Sequence, residues 1–567
     1  MLGCGACGSD RPAASRELPP VINAGSDAGA PCGADVLYVS ANGDDANTGC
    51  DSGKPKKTIA NAIGFSRSKG VKHLEIRTCA ETIRERVLVG SPVSIIGGFD
   101  CTTWQPGAGR TTIESPGDDN ETFLAFGTTV DSTASFEHLR INGPTRKSGP
   151  VVGMRFTNRC SPHVRDVEVH GGTTDEGFSQ AVAVEIASPV IEDSTIIGGH
   201  ARCVTSCVPT LSTGIALVSG TPQLRRLRID GGVGEGSSEQ NYVGAVALDA
   251  YNFLSGSTEL AFEELELTAG VGRVTKGIAS ATVRAVDGAN LVLSDSKLLV
   301  GPEPSTCAKA PCVGFGVYAW GRIRVERTRI APTIVTTAPG ATGFVPLVHG
   351  ISMLEGQVEV LSSSVFAPDR ALDVLGSFAK LIVRSSTVIG GSILSNTSEV
   401  TISGSVLGSM RKDVPAFELL DCKNILKTSI DNSVVIGAPQ LVAKFFAPPT
   451  VGSQACDPTG SSTTLAGMNG SEGFTASNVL RVTTACDGEA VGTCFARAEC
   501  AGDPSSCLET VLASNATHLE PRLRDGVLCA IAKGGAPFND DPSDVFDAKR
   551  TDPVSMGAHE YDGTCSP

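Results

Sequence analysis

Phe136-Glu-His-Leu139-Arg-Ile141-Asn-Gly143, Val164-Arg-Asp-Val167-Glu-Val169-His-Gly171, Leu224-Arg-Arg-Leu227-Arg-Ile229-Asp-Gly231 and Val383-Arg-Ser-Ser386-Thr-Val388-Ile-Gly390 are copies of one pattern. An apolar residue is followed three positions on by a small or apolar one, two further on by another apolar one, and then usually by glycine. The first position recurs at Phe136, Val164, Ile191, Leu224, Phe262, Leu293, Val325, Val360, Val383, Ile402 and Ile430. Such recurrence marks a solenoid. The intervals run from 19 to 38 residues, whereas helical repeats hold a nearly fixed length because each helix pair must dock on the next. The spacers are therefore loops.

Ahead of most copies lies a second short run with period-two alternation, as in Gly153-Met-Arg-Phe156, Gly214-Ile-Ala-Leu217, Gly244-Ala-Val-Ala-Leu248, Gly316-Val-Tyr-Ala-Trp320 and Gly350-Ile-Ser-Met-Leu354. Alternation bounded by glycine reads as strand. Each coil then offers one strand, a turn, and two shorter strands meeting at a bend. Stacked at about 4.8 Å, such coils bury one apolar column and pair their backbones up and down. The predicted fold is all-β, a right-handed parallel β-helix. The small residue recurring inside the bend (Ser194, Ser296, Thr328, Ser363, Ser386, Ser405, Ser433) reads as a stacked hydroxyl ladder, not as nucleophiles, since nothing places a base beside each.

The chain has 567 residues, 65 glycines and few aromatics, and a solenoid of that length grows along one axis without splitting its core. A net charge of −15 argues against nucleic acid as a partner. Nineteen cysteines without zinc-type spacing point to an oxidising compartment. Close pairs such as Cys203 with Cys207 and Cys307 with Cys312, and the cluster Cys486, Cys494, Cys500, Cys507 and Cys529, would staple insertions, with connectivity left open. Met1-Leu2-Gly3-Cys4 resembles the end of a bacterial lipoprotein signal without its apolar stretch, which makes Cys4 a lipidation candidate. No run of eighteen apolar residues follows. The only membrane contact predicted is through that anchor, and the chain is expected to be a monomer at the extracellular or outer-membrane surface.

Four sections follow: a tether at 1–33, an N-terminal cap with first coils at 34–130, regular coils at 131–437, and final coils with a cysteine-rich C-terminal cap at 438–567. A solenoid needs its ends covered. Ile59, Ala62 and Ile63 have helical spacing and predict a short capping helix. The stretch Tyr38-Val-Ser-Ala-Asn-Gly43-Asp-Asp-Ala-Asn-Thr-Gly49, with Pro55 and Thr58-Ile59-Ala-Asn-Ala62-Ile63 after it, resembles the opening of a bacterial family of secreted β-helix proteins in the pectate-lyase-like superfamily. Met556-Gly557-Ala-His-Glu560-Tyr561 resembles its closing segment. The resemblance implies fold and export and little chemistry.

Polygalacturonase-type hydrolases carry Asn-Thr-Asp, Asp-Asp, Gly-His-Gly and Arg-Ile-Lys on successive coils, and that series is absent here. A lyase needs a base beside a uronate carboxylate and often calcium held by carboxylates. Aligned coils bring Asp166, Glu168 and Asp193 within a step of Arg226 and Arg228, the best catalytic candidates, although alternating charges up a β-helix face are more simply a register-fixing ladder. His170 and His200 read as exposed loop residues at coil ends. Asp44, Asp45, Asn47 and Asp51 gather oxygen ligands that could wrap calcium, the one cofactor considered, or form an ordinary solvated turn. Tyr318 and Trp320 could stack on sugar rings, although with two tryptophans and five tyrosines in the chain they are more simply core packing or isolated surface positions. The functional expectation is an exported cell-surface scaffold binding polysaccharide or another surface component through its loops without catalysis. The alternative is a calcium-assisted polysaccharide lyase acting on acidic glycans.

Overall fold

A computed structural model describes residues 35–69, 73–203 and most of 211–436, with short strands beyond them as far as Leu523. Cys4 with the tether, and nearly all of the cysteine-rich section 438–567, lie outside the described residues.

Each complete coil contributes its first and second strands to one long parallel sheet, its third to another and, in the middle of the molecule, a short fourth strand to a third sheet. In one coil these are Val151–Thr157, His163–Arg165, Glu168–His170 and Thr173–Thr174. The next coil repeats them as Phe178–Glu185, Val190–Glu192, Thr195–Ile197 and His200–Arg202, strand against strand and parallel. This is a parallel β-helix.

The recurring apolar position is one physical column. Phe136, Val164, Ile191, Leu224, Phe262, Leu293, Val325, Val360, Val383, Ile402 and Ile430 stand opposite one another in unbroken register. All are buried, and large members such as Phe136 and Phe262 have no exposed surface. Each such side chain removed from water is worth about 1.5–3 kcal/mol, so the column is a main source of cohesion along the axis. It also extends upstream through Leu37, Ile76 and Ile95, and downstream to Ala476, where the sequence pattern fades. The helix Ile59–Lys69 buries Ile59, Ala62 and Ile63 against strands of the first coils.

At the bend the backbone ladder is interrupted and side chains complete it. The residue two past the column takes the left-handed conformation in every coil from His138 (φ 53°) to Ser385 (φ 48°), and Gly404 occupies the same place at φ 56°. The next residue lies inside. Ser405 Oγ accepts the Ser386 N–H at 3.2 Å, Ser386 Oγ accepts the Ser363 N–H at 3.2 Å, and Ser363 Oγ accepts the Thr328 N–H at 3.1 Å. Each hydroxyl donates to the carbonyl two residues before it, as Ser386 does to Arg384 at 2.6 Å and Thr328 to Glu326 at 2.8 Å. A chain of hydroxyls thus carries the hydrogen bonding around the corner, as the ladder reading predicts.

Candidate functional site

Asp166 (φ 49°), Asp193 (φ 52°) and Arg226 (φ 50°) are the left-handed residues of three successive bends, with His138 before and Glu264, Asp295 and Arg327 after. Short polar side chains tolerate that region, whereas arginine and glutamate occupy it at a cost. Two residues on, Arg140, Glu168, Thr195, Arg228, Glu266, Lys297 and Arg329 stand in register along the third strands. The two charged columns drawn from the sequence therefore run side by side at the corner.

Their charges are satisfied from coil to coil. Asp166 pairs with Arg110 and lies 2.6 Å from His138. Glu168 meets Arg140 at 2.8 Å and His170 at 2.6 Å. Arg226 grips Asp193 through two contacts at 2.6 and 3.1 Å and reaches Glu192 at 3.1 Å, while Glu192 meets His163 at 2.9 Å. Arg228 lies exposed between Thr195 and Glu266. His170 and His200 are half-buried on strands and pair with Glu168 and Glu235, in contrast to the exposed-loop expectation.

The chemistry follows from those partners. Arg226 holds the Asp193 carboxyl below its ordinary range, and Asp193 in turn holds the Arg226 guanidinium above its own. Burial pushes Glu168 up, but hydrogen bonds from His170 and Arg140 outweigh it and keep the carboxyl low. A base that takes a proton from carbon works best with a pKa near the operating pH. The contacts move Asp193, Glu168 and Arg226 the opposite way, each toward its charged form.

The four calcium candidates do not converge. Asp45 accepts the Lys57 and Thr58 N–H groups at 3.0 and 2.9 Å just before the helix, and Asp44 and Asp51 close turns on Ala46 and Gly53 at 3.0 and 2.9 Å. The Asn47 amide donates to Pro55 O at 3.0 Å. The loop is organised around a cation of its own: the Lys56 ammonium donates to Asn47 O at 2.6 Å and Asp45 O at 3.2 Å, with Lys56 only 6% exposed. The side chains thus make the contacts of ordinary turns, and the carbonyls of Asp45 and Asn47 serve an ammonium.

Tyr318 is half-buried, its ring 5.0 Å from that of Phe315, while Trp320 is 38% exposed. Tyr318 belongs to a column that sequence reasoning missed. Arg155, Ala183, Ala216, Asp249, Arg284, Tyr318, Ser352 and Asp373 succeed one another along the long first strands. Asp249 sits between the core residues Leu248 and Ala250, so it points away from the core. Yet Asp249 is fully buried and chelates Arg284 at 2.7 and 2.6 Å. Burial pulls Arg284 down, but Asp249 outweighs it and holds the guanidinium above its ordinary value. Arg155 bridges to Glu185 at 2.5 Å, and Asp373 lies 3.3 Å from both His349 and Arg370. The signal was present in five of these eight strands, as Arg155, Asp249, Arg284, Tyr318 and Asp373, two residues past the glycine or its equivalent.

No family model and no curated protein matches the chain. Among solved structures it is similar to the pectate lyase Pel9A, at 10% identity and TM-score 0.31 over 93% of this chain and 96% of that one. A rhamnogalacturonan lyase gives 10% identity and TM-score 0.30 over 78% and 87%. A DFA-IIIase from Arthrobacter chlorophenolicus A6 gives 12% identity and TM-score 0.25 over 73% and 83%. At these values the likeness carries no argument about chemistry.

Proposed function

We propose that the protein is an exported, non-catalytic surface scaffold that binds polysaccharide or another surface component through loops on one edge of the solenoid. One observation carries this reading: coil length varies chiefly at one corner. Between the third strand of a coil and the first strand of the next, the chain runs from Pro332 to Leu347 in one coil but only from Ala367 to Arg370 in another, whereas from the Phe136 coil to the Ile430 coil the bend between second and third strands keeps one length; only the earlier Ile76 and Ile95 coils, the latter running from Phe99 to Thr111, carry a longer bend among the described residues. A rigid column with variable loops along one edge is how repeat scaffolds present recognition surfaces. Export is supported by Cys50 and Cys203, both disulfide-bonded. The ion-paired corner favours this reading over the lyase, because its carboxylates and guanidinium are held charged by one another.

The test is retention on immobilised neutral and uronate polysaccharides, with and without calcium, while absorbance reports any unsaturated product. Retention without product, weakened when the segment between Pro332 and Leu347 is shortened, is expected. Product formation lost in Asp166→Ala or Arg226→Ala would overturn the scaffold reading in favour of the lyase.

A further inference from the structure

We propose that Cys79 and Cys101 form a disulfide that staples the neighbouring coils of Ile76 and Ile95 when the protein meets a disulfide oxidant. Cys79 ends the strand Leu74–Cys79, which pairs in parallel with Val93–Phe99, and Cys79 itself stands opposite Phe99. Cys101 follows two residues after that strand, so the chain delivers the second sulfur to the same edge one coil on. Both are free thiols here; Cys79 is buried in a cluster with Phe99 and Trp104, and Cys101 is exposed. Their sulfurs and a Glu81 oxygen lie within 4.8 Å of one another, and the two thiols are hydrogen-bonded.

The same trio has the composition of a soft-metal site, but Glu81 is already engaged by the Ala41 N–H at 2.5 Å. Three ligands also leave a tetrahedral site incomplete. The disulfide needs only the two sulfurs. Exposed Cys101, as thiolate, attacks a low-molecular-weight disulfide and expels one thiolate. Cys79, deprotonated in turn, attacks the Cys101 sulfur of the mixed disulfide and expels the second. Two protons and two electrons leave the protein, and the oxidant becomes two thiols. Burial raises both thiols above their ordinary value, so closure is slow near neutrality and quickens with pH.

The test is to treat the full chain with oxidised glutathione, quench with acid, alkylate, and map tryptic peptides without reduction. Cys79 falls in peptide 78–84 and Cys101 in 87–110, so their cross-link is unambiguous. The expected result is a linked pair lighter by two hydrogens, released by reductant, absent in Cys101→Ser, and formed faster at pH 9 than at pH 7. Glutathione left on Cys101 with Cys79 still alkylatable would overturn the proposal. So would protection of both thiols by zinc alone that a chelator reverses, which would assign a metal site.

Discussion

Ser386→Ala tests the hydroxyl ladder at one rung. Ser386 has no exposed surface; its Oγ accepts from the Ser363 N–H at 3.2 Å and donates to Arg384 O at 2.6 Å and Val360 O at 3.1 Å. Alanine removes the acceptor while Ser363 stays buried, so the orphaned N–H carries its full desolvation cost, about 1–3 kcal/mol. Ser386→Thr keeps the hydroxyl, and Thr328 shows that the same place in another coil accepts a threonine. With the acceptor kept, it should cost less than Ser386→Ala. A solenoid opens locally rather than in one step, so the readout is hydrogen exchange across residues 360–366. A loss of about 2 kcal/mol speeds exchange through local opening about thirty-fold. Unchanged exchange there in Ser386→Ala, or a threonine variant more perturbed than the alanine one, would refute the ladder as a source of cohesion.

Four further outcomes follow from individual contacts. Asp193 and Glu168 are held below their ordinary range, so their contribution is present above the unfolded pKa and lost as pH falls through the folded one. Arg226→Ala should shrink this acid limb in urea titrations between pH 2 and 6, and an unchanged limb would show that Arg226 does not set it. Glu85 behaves oppositely: burial pushes it up to about 7 from 4.5, although it accepts the Ile59 and Ala60 N–H groups at 2.6 and 3.2 Å. The folded state holds the extra proton, so this contribution is present at pH 4 and fades as pH rises through about 7, and Glu85→Gln should flatten that decline in thermal melts. Lys56→Met leaves Asp45 O and Asn47 O without their ammonium and should cost about 1–3 kcal/mol. Millimolar calcium should leave the wild-type melting temperature unmoved, and a rise abolished by Asp45→Asn would restore the metal reading.

The sequence displayed most clearly what each coil repeats under the same constraint. The column from Phe136 to Ile430 was legible because every coil needs an apolar residue at one point of a shared core. Ile76 and Ile95 occupy that column too, but no complete copy of the bend motif follows them: Gly97 and Gly98 stand where later coils carry the motif's turn. The charged corner was legible as two columns read as a cross-coil ladder, but Arg110, which lies upstream of the first aligned copy, and the His170 contact to Glu168 on its own strand were not. The buried pair Asp249 and Arg284 escaped because the first strand was read only for its alternation. Burial of an outward-facing residue depends on what lies over it, which strand periodicity does not encode.

The contrast between the two corners also explains where variation can accumulate. At the bend, successive coils are joined by an inward hydroxyl, by backbone bonds such as Arg228 N–H to Ser194 O at 3.1 Å, and by outward pairs such as Asp295 with Arg327 at 2.7 Å. An inserted residue there would break all three at once and turn the following strand's core face outward. Between the third strand and the next first strand the ties are those of the short third sheet, which among the described residues runs from Thr145–Arg146 to Thr306–Cys307, and where a spacer extends beyond it the added length costs only the slowly growing entropy of closure, about 0.6 kcal/mol per doubling. Pro332 to Leu347 can therefore lengthen where Glu326 to Arg329 cannot. The corner that fixes register is rich in charge because pairing helps hold it, and the corner free to vary is where a binding surface can be changed without rebuilding the column.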